Sequence, residues 1–123
     1  MRRRGFTMIE LLVAITILGL LVSIAAPRYF GNMDRAKEGV LKEDLYIMRD
    51  AIDKFYADRN RYPASLEELV KEHYLRKVPI DPFTQSSLSW VQLPSDDKSI
   101  SGIVDVRSGA PNSGRDGTWL KDW

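Results

Sequence analysis

Arg4-Gly5-Phe6-Thr7-Met8-Ile9-Glu10-Leu11-Leu12-Val13 opens an apolar run that carries no charged residue from Leu11 to Ala26. After Pro27 the chain becomes strongly charged, with both signs mixed. The 21 residues from Phe6 to Ala26 would form a helix of roughly 32 Å at about 1.5 Å per residue. That length matches a hydrocarbon core of about 30 Å. A basic start, an apolar stretch and the small residues Ser23-Ile24-Ala25 would also suit a secretory signal. The run is long for that, however, and it carries an acid near its start. A plain membrane anchor, with Arg2 to Arg4 held on the cytoplasmic side, fits the length and the charge asymmetry. It leaves Glu10 unexplained. A carboxylate in a spanning helix costs at least ~2.5–3.5 kcal/mol near the centre, and usually marks function.

One family accounts for the whole segment. A short basic leader ending in Gly5, then Phe6, an acid at Glu10, an apolar helix and Pro27 closely resemble the leader and mature start of type IV pilins and type II secretion pseudopilins. The resemblance implies cleavage after Gly5 by a membrane-embedded prepilin peptidase and methylation of the new N-terminal Phe6. It also implies polymerisation through the N-terminal helices, in which Phe6 and Glu10 act in assembly. The residue types suit those roles. Gly5 lets an extended leader enter a tight protease site. Arg2 to Arg4 suit an anionic cytoplasmic surface. Cleavage would leave an ammonium at Phe6, and a carboxylate one turn along can meet that amine on its own chain or a neighbour's. Such pairing offsets the cost of burying either charge. The alternative for Glu10 is that it snorkels to the headgroups. Ala14, Gly19, Ser23, Ala25 and Ala26 would allow close helix approach, although small residues are common in apolar helices.

The remainder has the length of one small domain. We expect three segments: a cleaved leader, 1–5; a transmembrane and filament-core helix, 6–27; and a globular domain, 28–123. The helix is expected to continue past Pro27 with a kink or a loosening, which Gly31 and Asn32 would increase. Leu41, Leu45, Met48, Ile52 and Phe55 follow +4, +3, +4, +3 spacing, one apolar helix face. Glu38–Lys42, Arg49–Asp53 and Asp50–Lys54 are candidate i,i+4 ion pairs. The helix should end near Asp58 to Asn60. Ser65 and Glu68 form a capping-box pattern opening a short helix to about Glu72. Leu88 to Leu93 and Ile100 to Val106 read as strands, with Pro94 to Ser99 as their turn. Trp90, Trp119 and Trp123 are expected to fold back and tie down the tail. The fold class is therefore α+β, type IV pilin-like: a long helix packed on a short helix and a small antiparallel sheet.

Arg61-Tyr62-Pro63 with its following Leu-rich helix, and Pro79-Ile80-Asp81-Pro82, are similar to segments of the major pseudopilin (protein G type) of type II secretion systems. That resemblance implies a periplasmic pseudopilus driving protein secretion. The subunit would wait as a single-pass protein in the bacterial inner membrane with its C-terminal domain in the periplasm. Prepilin peptidase, an inner-membrane assembly platform and minor pseudopilins would be its partners. Rival readings are a pilin of a type IV pilus or competence filament, and a membrane-anchored periplasmic binding domain. The absence of cysteine favours the pseudopilin mildly, because many true pilins carry a C-terminal disulfide loop.

Major pseudopilins hold calcium in the C-terminal loop, so the resemblance makes calcium a possible ligand. Asp105, Ser108, Asn112, Ser113 and Asp116 bear oxygens here, with Asp105, Ser108 and Asp116 the candidate ligands. The loop departs from the family's Asp- and Gly-dense pattern, and Arg115 places a cation beside Asp116. Asp116-Gly117 is also a good turn pair, and turn structure is the favoured reading. No other cofactor is expected. Removing Arg2 to Arg4 leaves 15 of 18 basic residues against 17 acidic ones, a net charge of −2. Nucleic acid, which calls for a clustered basic face, is therefore not an expected partner. With the single histidine His73 and no cysteine, a Zn cluster and a thiol nucleophile are excluded, and a Ser-His-Asp triad would rest on His73 alone. The chain reads as a non-enzyme.

Overall fold

A computed structural model describes residues 5–123, leaving Arg2 to Arg4 of the leader outside the described residues. Five elements follow in order: α1 (Met8–Arg59), α2 (Leu66–Lys71), β1 (Val91–Pro94), β2 (Ile103–Arg107) and a 3₁₀ turn (Leu120–Asp122). The chain divides into two compact units, 1–34 and 35–123. In the first, α1 is assigned without interruption through Pro27 and Gly31. The expected loosening does not break the helix, since a proline removes only one ladder donor.

The second unit holds the core. Leu41, Leu45, Met48, Ile52 and Phe55 are all buried, as their spacing predicts, and Ala51 joins them. They pack with Leu66 and Leu69 of α2, with Ile103 and Val106 of β2, and with Leu75, Trp90, Ala110 and Leu120. Ser65 sits in extended backbone, φ −161°, and its Oγ accepts from the Glu68 amide at 3.3 Å. The second half of the expected box is not made to Ser65. The Glu68 carboxylate instead accepts from Ala64 N at 3.4 Å and pairs with Arg61 at 2.7 Å. That bond from Arg61 holds its carboxyl below the usual carboxylate range.

The sheet is a single antiparallel pair. Val91 faces Arg107, Gln92 faces Val106, Leu93 faces Asp105 and Pro94 faces Ile103, with an irregularity between Leu93 and Pro94. The strands are shorter than expected, and Pro94 belongs to β1 rather than to the turn. Three local features set these limits. Residues Asp81 to Ser89 form a hydrogen-bonded loop, with Asp81 N donating to Ser86 O and Leu88 N to Ser86 Oγ, so Leu88 and Ser89 are not free to pair. Pro94 brings no donor and closes the ladder at the irregularity, where proline is tolerated. Ile100 N bonds back to Asp97 O, and Gly102 adopts φ +96° against Tyr62 and Pro63 backbone, where a Cβ would lie 2.6 Å from Pro63 O. Of the tryptophans, Trp90 is buried with its indole donating to Pro79 O at 2.8 Å, and Trp123 is half-buried. Trp119 does not fold in as expected; it is 52% exposed.

The ion pairs also differ from the i,i+4 expectation. Asp50–Lys54 forms at 2.9 Å. Arg49 turns instead to Asp105, and Glu38 Oε1 accepts from Arg115 N at 2.7 Å. Backbone acceptors and a carboxylate on other elements hold a guanidinium better than one exposed side chain on its own helix, where such pairs are worth only tenths of a kcal/mol.

Candidate functional site

Gly5, Phe6 and Thr7 lie in non-helical, exposed backbone immediately before α1. A Cβ at Gly5 would meet nothing within 4 Å among the described residues. Thr7 is the point at which the helix begins. Its carbonyl accepts from Leu11 N at 3.2 Å, and its Oγ1 accepts from Glu10 N at 3.2 Å. This is an N-cap, and it places Glu10 in the first helical turn, where a carboxylate is favoured by the exposed amides. The Thr7-x-x-Glu10 pattern is that of a capping box. Its spacing is local and therefore legible in the sequence. Phe6 is 84% exposed, and Glu10 lies among exposed apolar side chains; Ile9, Leu11 and Leu12 are each more than half exposed. The window of highest mean hydropathy in α1, 2.5, is 0% buried.

The second candidate is the C-terminal loop. Asp105 Oδ1 accepts from Arg49 Nε and from its neighbour Val106 N, both at 2.8 Å. Ser108 is fully buried; its hydroxyl donates to Asp81 Oδ2 and accepts from Ala110 N. Asp116 is exposed, and its Oδ1 accepts from the Thr118 amide and hydroxyl at 3.0 and 2.6 Å. These bonds from Thr118 hold the Asp116 carboxyl below its usual range. Asp105, Ser108 and Asp116, the possible calcium ligands, thus each have hydrogen-bond partners of their own. Among the described residues no group of three or more His, Asp or Glu comes together to hold a metal. His73 sits just past α2 at φ 65°, where its amide bonds to Val70 O as the chain turns off the helix.

Sequence reasoning missed two ties in this region. Asp81 is 0% exposed; besides Ser108, its Oδ1 accepts from Phe83 N at 2.8 Å and Thr84 N at 3.4 Å. The spacing from Asp81 to Phe83 is that of an Asx turn, so half of this role was readable; the partner at Ser108, 27 residues on, was not. Arg49 also donates to Val106 O and Trp123 O, at 3.0 and 2.9 Å, and no local pattern signals either acceptor.

Comparison with known proteins bears on both halves of the chain. Residues 1–26 match the prokaryotic N-terminal methylation motif. The chain is 34% identical to the type II secretion system core protein G of Klebsiella pneumoniae, in an alignment that covers 96% of this chain and 95% of that one. It is 35% identical to the protein of the same name in Pseudomonas aeruginosa, covering 68% of this chain and 72% of that one. For the Escherichia coli protein the figures are 32%, 67% and 68%. No solved structure gives a significant match. The Klebsiella match covers 96% of this chain, so it takes in most of both the methylation-motif segment and the α+β domain. On that evidence the chain belongs to the family of type II secretion system core protein G, the major pseudopilins.

Proposed function

We propose that this chain is a structural, non-enzymatic subunit that polymerises through its N-terminal helices into a periplasmic pseudopilus driving type II secretion. Prepilin peptidase cuts between Gly5 and Phe6, and Phe6 is methylated. Residues 6–27 hold the subunit in the inner membrane, with 28–123 in the periplasm, until the assembly platform and minor pseudopilins take it into the filament. The observation that carries this reading is the apolar part of α1. A window of mean hydropathy 2.5 has no buried share among the described residues. Lipid covers it before assembly, and other copies of the same helix cover it afterwards.

Glu10 gives the helix a register. Once Phe6 is the N-terminus, its ammonium has to leave the headgroup region as the subunit enters the bundle. A carboxylate four positions along a neighbouring helix accepts it, and a slipped register would leave both charges unpaired. Breaking a buried pair by removing one member is typically worth ~3–5 kcal/mol. Thr7 supports this by fixing where the helix begins.

Glu10→Val tests the mechanism. Removing the charge should leave membrane insertion and cleavage intact, because both depend on other residues. In cells that overproduce the subunit, so that filaments outgrow the periplasm and can be sheared off, filament yield should fall sharply against unchanged membrane levels of mature subunit. Normal filament yield would refute the pairing and leave Glu10 as a snorkelling residue.

A further inference from the structure

The second unit carries two apolar features that its own core does not use. One is a groove of about 700 Å³ between α1 and the tail, lined by Lys42, Leu45, Arg49, Asp116, Trp119 and Trp123 among others. Lys42 Nζ lies 4.8 Å from the centre of the Trp123 ring, and Trp119 leaves 52% of its surface open. The other is a projection. Leu88 is 87% exposed, more than any other large apolar side chain among the described residues, and Ile80 nearby is 57% exposed. The loop that presents Leu88 is tied from within. Asp81 N bonds to Ser86 O at 3.1 Å, Thr84 and Ser89 hydroxyls meet at 2.6 Å, and Leu88 N bonds to Ser86 Oγ at 3.0 Å.

We propose that Leu88 of one subunit seats in the Trp119/Trp123 groove of the next, so that the globular domains add a head-to-tail contact to the helix bundle. The inference rests on the polymerisation reading above. A homopolymer that grows without closing on itself needs two different, complementary patches on each copy, and these two features share no residue. The loop is ordered before contact, so little freedom is lost when it docks. Charge agrees with the pairing. Exposed Arg76 and Lys77 precede the Ile80 loop, while the groove is lined by the exposed acids Asp116 and Asp122 and by two cations, Lys42 and Arg49. Within the groove the Arg49 charge is already met by Asp105.

The chain has no cysteine, so a disulfide scan of the full-length protein in its own secretion system is clean. Leu88→Cys with Trp119→Cys should give an oxidation-dependent ladder of multimers from sheared filaments, and neither single variant should. Leu88→Cys with Thr118→Cys is the second pair, in case loss of the indole alters the groove. Leu88→Asp should lower filament yield roughly tenfold or more, as loss of a central anchor does, with membrane levels unchanged because the residue is exposed. Filaments that form normally but give no ladder with either pair overturn the contact and leave the polymerisation reading standing. Dimers from Leu88→Cys alone also overturn it, since the loop would then meet itself. Failure of the unaltered chain to form filaments overturns the polymerisation reading and this contact with it.

Discussion

Arg49 on α1 and Asp105 on β2 lie 2.8 Å apart, Nε to Oδ1, and the same guanidinium reaches Val106 O and Trp123 O. One side chain therefore binds the helix, the second strand and the end of the tail. Arg49→Met, tested in residues 28–123 produced without the apolar segment, should lose about 2–3 kcal/mol of unfolding free energy, as charged hydrogen bonds do. A double-mutant cycle with Asp105→Asn should show positive coupling of at least about 0.5 kcal/mol. Asp53→Asn, which removes the helix neighbour, should stay within about 0.5 kcal/mol of the parent. Coupling of Arg49 to Asp53 rather than Asp105 in urea melts would contradict the structure.

Ser108→Ala should destabilise the same segment by about 1–3 kcal/mol, because it leaves one oxygen of the buried Asp81 carboxylate without its donor. The removed hydroxyl also accepts from Ala110 N. A neutral result in urea melts would mean that Asp81 finds another donor there.

Asp44 titrates in the opposite sense to a paired carboxylate. Partial burial, then the nearby carboxylates of Asp81 and Glu43, push its pKa up. Its ionised form is thus disfavoured in the folded state. That cost is absent below the ordinary carboxyl value, grows as pH rises from there to the raised one, and is complete above it. Asp44→Asn should therefore stabilise the domain at pH 7, by up to about 1 kcal/mol given its solvent screening. The gain should disappear on acidification below the ordinary carboxyl range. Melts of both proteins at pH 7 and pH 3 check it, and an equal difference at both would remove the electrostatic cause.

The tail should not need calcium. Its ties are internal: Ser108 to Asp81, Arg49 to Trp123 O, and Arg115 N to Glu38. Chelation should leave Tm unchanged, and calcium added back should not raise it. A bound ion at 100-fold above its Kd would add about 2.7 kcal/mol, which a melt would register plainly. A drop on chelation restored by calcium would place an ion in the loop.

The parts of the fold that were legible are those encoded by near neighbours. The Leu41-to-Phe55 face follows helical spacing, and every member of it is buried. The Ser65 cap needed only Glu68 three residues on. Thr7 was equally local and was overlooked because Glu10 had a louder meaning. What could not be read depends on distant partners. Arg49 passes over Asp53 for a carboxylate 56 residues away. The start of β1 is set by how Asp81 folds its loop, not by the β-propensity of Leu88. Trp119 remains outside the core while its neighbour Leu120 is buried.

Intact mass spectrometry of the subunit recovered from sheared filaments tests the central claim most directly, since it reads processing and polymerisation on the same molecules. The account predicts a filament-borne chain that begins at Phe6, lighter than the precursor by residues 1–5 and heavier by one methyl group. A filament subunit retaining the leader, or a membrane-released chain cut after Ala25 or Ala26 with no filament, would contradict it.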